Sequence, residues 1–510
     1  MENILFKNNN FKSLKQNIEI NLNVKELQTY FPIMEHYNTE LNPTNVSLRS
    51  RYMITELIKN NTDYFTKKQS HYIKTFYTSK IYDRFNKTTI EKNIFIKQNP
   101  LIEVLGYSLD EFSLSKKILP DYISSITSDY INNYNNEAYI DAFFTFLGSK
   151  LTESVKCPTF PLFYGTYSCI TKNFKYDITE DYFELKSNKL FKKNRNTTFN
   201  IEEVDIEIEE SKEIDLEIID TELETDILDL DDSYTYTQNK LELLESMEKL
   251  PLSYKKYNGD INITNIDNND IISDISDDTF KYMSIKNFPT QLICMEKLDI
   301  TLDDLLDEGS IDTTEWLSIL FQICFGLAVA QKKFHFVHND LHSSNIMFSH
   351  TEKAFINYEI NNVFYKIPTY GKITKIIDFG RATFTHNKTL YFSSTFDENG
   401  DAEGQYDYPE NNSLNNCKIK PNKSFDLARL ATTIIEHFEK DTKIFNLLKT
   451  WMTDKYNKFL IDEEDDFDLY KKIAKDVKNA VPIKQLKKKI FNQFIINKKD
   501  IKQKDNVFRY

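Results

Sequence analysis

Residues His338-Asn339-Asp340-Leu341-His342-Ser343-Ser344-Asn345, followed later by Lys375-Ile376-Ile377-Asp378-Phe379-Gly380, decide how this chain is read. An Asp is followed five residues on by an Asn. A second Asp comes after an apolar run of strand character. Phosphoryl transfer asks little covalent chemistry of a protein. It needs a carboxylate to orient the attacking hydroxyl and metal ions to bridge the phosphates. Mg²⁺ takes oxygen ligands and keeps several waters, so one amide oxygen and one carboxylate from neighbouring loops suffice. On this pattern Asp340 is the expected proton acceptor, and Asn345 and Asp378 the expected metal ligands.

Working outward, residues 313–331 have the length and apolar content of a buried helix, with Thr313 or Thr314 as its N-cap. A hairpin is predicted around 356–368, and Asp426 opens a further helix. Beyond about 481 the chain is Lys-rich; Ile483, Leu486, Ile490 and Phe494 keep helical spacing, which predicts a docked C-terminal helix over 481–510. Upstream, 76–85 and 88–98 read as strands, 137–155 as a helix, and 291–298 as a strand. Residues 1–75 are polar and Asn-rich and are expected to form a weakly ordered extension. Within 190–280, residues 201–232 carry a carboxylate at about every second position. Such a block repels itself, so a disordered acidic insertion, open to a basic partner, is expected there.

The string HNDLHSSN resembles the HxDxxxxN catalytic loop of the protein-kinase superfamily, and Asp378-Phe379-Gly380 resembles its metal motif. The Asp340-Leu341-His342 run is also similar to haspin-like kinases and to several small-molecule kinases. The wider context, including IPTYGKI, IIDFGRA and GDAEGQY, is similar to putative serine/threonine kinases of large nucleocytoplasmic DNA viruses over about 90–180 and 285–435. The resemblance implies an α+β, bilobal fold, with a small strand-rich N-lobe over 76–298 and a larger helical C-lobe over 299–480. It implies ATP and Mg²⁺ or Mn²⁺ as cofactors and a protein substrate phosphorylated on Ser or Thr. It identifies Lys97, in IFIKQNPL, as the strand lysine for the ATP phosphates. A helix carboxylate should hold that lysine: Glu137 is favoured, with Asp141 and Glu153 as alternatives. Met295 is expected as gatekeeper, and Glu296 to Leu298 as the hinge that binds adenine. His338, Phe379, Gly380 and Asp426 are expected to support the loop, Asp426 either by bonding it or by capping its own helix. Tyr408-Pro409-Glu410 faintly resembles the close of an activation segment. A cytoplasmic site, in a host cell, viral factory or virion, is implied by the same resemblance.

Three departures stand out. No GxGxxG precedes Lys97; the first glycine is Gly106. Asn339 replaces the arginine that normally meets a phosphate on the activation segment, so activity independent of such a phosphate is expected. His342, a catalytic candidate beside Asp340 unless it only packs or bonds locally, stands where a lysine is usual, and its neutral imidazole offers less charge to the γ-phosphate. A pseudokinase scaffold is therefore one alternative reading. A small-molecule kinase of the choline or aminoglycoside type is another.

Bulk properties narrow the field further. A net charge of -14 argues against nucleic acid as the main partner. Five scattered cysteines form no CxxC pair, which fits a reducing compartment rather than a disulfide or zinc framework. No signal-like or membrane-spanning apolar run is read; 316–330 is taken as a buried helix.

Overall fold

A computed structural model describes residues 3–5, 8–36, 46–60, 76–112, 117–121, 129–205, 263–265, 279–309, 311–397, 400–406, 420–460, 466–501 and 506–510. The fold is α+β and bilobal, as the sequence predicts. In the first lobe the elements are α1 (Asn8–Asn21), β1 (Val24–Gln28), β2 (Tyr52–Asn60), β3 (Phe76–Asp83), β4 (Thr88–Pro100), α2 (Glu137–Glu153), β5 (Phe163–Asp177), β6 (Phe199–Asp205) and β7 (Thr279–Glu296). The main path of the sheet runs β1-β5-β7-β4-β3-β2. The long β7 lies along β5; its other edge takes β6 at its start and β4 at its end. Lys97 stands opposite Ile293, and Phe95 opposite Met295. Directly opposed residues share a face, so Met295 lies on the lysine's side of the sheet.

The sheet reaches further upstream than the sequence predicts. Within 1–75, β1 forms one edge and β2 the other, and α1 buries Phe11, Leu14 and Ile18, with Leu22 just past its end, in one cluster with Ile54 and Leu57. Of two register shifts in β2, the one between Ile54 and Glu56 sets its buried Ile54 and Leu57 three residues apart. That spacing hides the alternation by which a strand is recognised. The link 61–75 between β2 and β3 lies outside the described residues. Structure also continues past 190: a short helix, Lys189–Asn194, leads into β6, and Ile263–Asn265 pairs with β6. The rest of the acidic tract, 206–262 and 266–278, lies outside the described residues, as do Tyr408-Pro409-Glu410.

The second lobe holds α3 (Thr313–Phe334), β8 (Ile346–His350), β9 (Phe355–Ile360), β10 (Val363–Pro368), β11 (Lys372–Ile376), α4 (Phe425–Ile434) and α5 (Asp466–Asp476). The N-cap of α3 is Asp312, whose carboxylate accepts from the N–H groups of Thr314 and Glu315; neither Thr313 nor Thr314 caps it. By length and composition α3 could cross a membrane, but 83% of its most apolar window is buried inside the protein. β9 and β10 are joined by Asn361-Asn362, both at positive φ, as a tight hairpin turn requires. The Lys-rich C-terminus docks through Leu486, Phe491 and Phe494, yet it is a short helix, Pro482–Gln485, followed by 3-10 turns rather than one continuous helix.

The lobes meet around a connector, residues 157–162, wedged between α2 and α3. A Cβ on Gly326 would stand 2.8 Å from Thr159, and one on Gly148 3.0 Å from Phe160. The absent side chains let both helices close on this connector.

Candidate active site

The catalytic loop is held from below by α4. Asp426 Oδ1 accepts from the main-chain N–H groups of His338, 3.0 Å, and Asn339, 3.1 Å. This decides between the two roles open to Asp426: its carboxylate serves the loop, and no side chain caps α4 through a hydrogen bond. His338 is fully buried, its Nε2 lying 2.8 Å from the Ile377 carbonyl just ahead of Asp378. Asn345 Nδ2 donates to the Asp340 carbonyl at 2.9 Å and lies 3.1 Å from His342 Nε2. Burial pushes the His342 imidazole below its ordinary range, against the pull of Asp340. The ring is thus neutral at pH 7 and can accept that amide proton.

Asn339 takes the left-handed conformation, φ 67°. Its Nδ2 donates to the carbonyls of Arg381, 2.9 Å, and Val337, 3.3 Å, and the Tyr406 hydroxyl donates to its Oδ1. At the position where the resemblance expects an arginine, a neutral buried amide ties the start of the segment that follows Asp378, at Arg381, to Tyr406 further along it.

The nucleotide side is an ion cluster. Lys97 Nζ lies 2.7 Å from Asp141 Oδ2 and 2.9 Å from Asp378 Oδ1. Burial alone would lower the lysine, but the two carboxylates outweigh it and raise it above its ordinary value. Asp378 shows the converse. Withdrawal into the cleft opposes its charged form, yet Lys97 holds it well below the usual carboxylate range. The Asp141 side chain is 1% exposed and that of Asp378 45%, so one carboxylate anchors the lysine and the other faces the cleft. Asp141 also accepts from Asn99 Nδ2 at 2.8 Å and from the Phe379 N–H at 3.0 Å. The Phe379 ring packs against Phe144 of α2, ring centroids 4.9 Å apart, and beside His338.

Glu137 is therefore not the carboxylate on Lys97; the partner is Asp141, one turn further along α2. Glu137 sits in the first turn, where burial, with Asp401 nearby, pushes its carboxyl up to about 7. Both residues share a helix face, and only the seating of α2 on the sheet decides which meets the lysine. Met295 is buried at the end of β7. The Glu296 carboxylate is committed to the protein: Oε2 accepts from the Leu162 N–H, 2.9 Å, and from Lys375 Nζ, 3.0 Å. The chain crosses to the second lobe at buried Leu298, and the Asp299 N–H then donates to the Phe348 carbonyl. A Cβ on Gly380 would meet only Asp378 Oδ1, at an ordinary 3.7 Å, so space does not demand glycine there.

For a divalent ion the donor set fits. Asn345 spends its amide protons on Asp340 and His342, which leaves its oxygen without a protein donor among the described residues. Among the described residues no group of three or more His, Cys, Asp or Glu side chains gathers around one point. Asn345 with Asp378 matches an ion that completes its shell with phosphates and water.

Two residues near Asp340 carry no signal in the sequence. Tyr470 of α5 donates its hydroxyl to Asp340 Oδ1 at 2.6 Å, and Arg429 of α4 donates from Nε to that hydroxyl at 2.8 Å. The buried spacing of Tyr470, Ile473 and Ala474 forecasts an amphipathic helix, but not what it packs beside.

No protein-family model matches the chain. It is 34% identical to mouse serine/threonine-protein kinase haspin over 91 residues, 18% of this chain and 12% of that protein. It is 39% identical over 82 residues to a probable serine/threonine-protein kinase of Dictyostelium discoideum, 14% of this chain and 7% of that protein. It is 32% identical over 97 residues to a probable kinase of Invertebrate iridescent virus 3, 18% of this chain and 17% of that protein. The chain thus spans less than a fifth of the length of each. In fold and in these partial matches it is kinase-like, and both cellular and viral proteins are among those it resembles.

Proposed function

We propose that the chain is an ATP-dependent protein kinase acting on Ser or Thr. The observation that carries the reading is the convergence of Lys97, Asp141 and Asp378 in one ion cluster, beside a loop that presents Asp340 and Asn345. Lys97 would meet the ATP phosphates, and Asn345 and Asp378 would hold Mg²⁺ or Mn²⁺, which would supply positive charge against the negative charges of those phosphates. Asp340 accepts the proton of the substrate hydroxyl as its oxygen attacks the γ-phosphorus and ADP leaves. The Lys97–Asp141 pair and the inward packing of Phe379 on Phe144 support this reading.

The test incubates the protein with labelled ATP and Mg²⁺ or Mn²⁺, with and without casein or a basic protein, beside Asp340→Ala. Label on Ser or Thr should fall by about three orders of magnitude or more in the variant, equivalent to ~4 kcal/mol. A variant with near-normal turnover would remove Asp340 from the mechanism. Intact ATP binding with no transfer by the wild type would favour a scaffold, the reading that the missing glycine loop supports.

A further inference from the structure

We propose that Tyr470 is a positioning residue for the catalytic base: its hydroxyl, itself held by Arg429, anchors one oxygen of Asp340 and leaves the other for the substrate. The inference rests on the kinase reading.

The phenol is fixed from both sides. Arg429 donates to its oxygen at 2.8 Å and lies over its ring, 4.9 Å from the centroid, while Phe425 packs against the ring at 5.8 Å. Arg429 is itself steadied by the Thr432 hydroxyl, 2.9 Å away. A phenol has one proton. Its oxygen already accepts from Arg429, so that proton goes to Asp340 Oδ1. Burial, with Asp340 beside it, pushes the phenol up to about 12, so it remains a donor at neutral pH.

The rest of the loop does not orient this carboxylate. Asn345 and His342 both donate to the Asp340 carbonyl rather than to its side chain. Arg381 reaches Oδ1 only at 3.8 Å. Among the described residues Oδ2 has no protein partner, and the side chain is 23% exposed. One oxygen is thus tethered and the other faces outward, the arrangement a positioned base requires.

Tyr470 is also badly placed to act as a removable plug. It is 8% exposed, and the helix that carries it buries Ile473 and Ala474 in the C-lobe core. Withdrawing it would break a charge-assisted hydrogen bond and pull on that packing.

The experiment compares the full-length wild type with Tyr470→Phe and Arg429→Gln, using steady-state kinetics with ATP and casein and a crystal structure of Tyr470→Phe. Tyr470→Phe should lower kcat by about 10- to 100-fold, the scale of a displaced catalytic group. KM for ATP should stay within about twofold, since the nucleotide contacts are untouched. Arg429→Gln should lower kcat in the same direction by less. In the crystal the Asp340 carboxylate should have turned from its wild-type position. An unchanged kcat with Asp340 in place overturns the proposal. So does a raised kcat, which would make Tyr470 an obstruction, or stoichiometric phosphotyrosine at 470, which would make it an acceptor. If the wild type shows no Asp340-dependent turnover, the kinase reading fails, and the crystal comparison alone decides whether Tyr470 orients Asp340.

Discussion

The clusters around Lys97 and Asp340 hold their charges in opposite ways. At Lys97 an ammonium is matched directly by two carboxylates, drawn from α2 and from the turn after β11. At Asp340 the carboxylate is tethered mainly by a phenol, with a guanidinium at 3.8 Å. The loop around it is fastened by amides and main-chain N–H groups. The first cluster gathers groups far apart in the chain, and removing one leaves a buried charge unbalanced. The second also draws on distant groups, Tyr470 and Asp426 among them, but holds the loop mainly through hydrogen bonds rather than matched charges. An ion cluster should therefore fail steeply when a member is lost, whereas the loop should fail by losing alignment.

The sharpest way to break that contrast is Asp141→Ala. It takes an acceptor from Lys97, from Asn99 and from the Phe379 N–H at once. Losing one partner of a buried pair costs about 3 kcal/mol or more. Urea denaturation should show that loss, and kcat/KM for ATP should fall with it. A variant as stable as the wild type would mean that Asp378 alone satisfies the lysine.

The same contrast sets what could be read from the chain alone. Asp340, Asn345 and Asp378 were legible because one loop and one turn dictate their spacing. Lys97 was legible as the polar end of an apolar strand, IFIK. Its partner was not, since Glu137 and Asp141 share a face and the choice lies in how α2 rests on the sheet. Strand β2 was hidden by its bulges, and Tyr470 by distance, because nothing near 470 in the chain refers to Asp340. What a loop closes locally is visible in sequence; what two elements close together appears only once they pack.

A smaller effect tests the loop's support. Burial pushes the Asp426 carboxyl up to about 6, outweighing the His338 imidazole and the two N–H donors. Its Oδ2 has no hydrogen-bond partner among the described residues. Between its ordinary value and about 6 the folded state keeps a proton that the unfolded chain has released. Stability from this group is complete at low pH and is lost as pH rises through that window, by about 3 kcal/mol at most. Asp426→Asn retains the Oδ1 acceptor and removes the titration. The stability advantage of the wild type over this variant should shrink from pH 4.5 to 7, read from urea midpoints. Parallel curves would show that Asp426 is already ionised in the folded protein.

The smallest expected effect is Glu137→Gln. Glu137 shares a helix face with Asp141 and yet touches neither end of the Lys97 cluster. With its carboxyl near 7, it carries only part of a charge at neutral pH. The Gln side chain therefore imitates a form already populated, and kcat/KM for ATP should stay within about twofold. A loss as large as that of Asp141→Ala would reverse the comparison. It would mean that α2 turns during the reaction and hands the lysine from Asp141 to Glu137, so that the tight cluster described above is a resting arrangement.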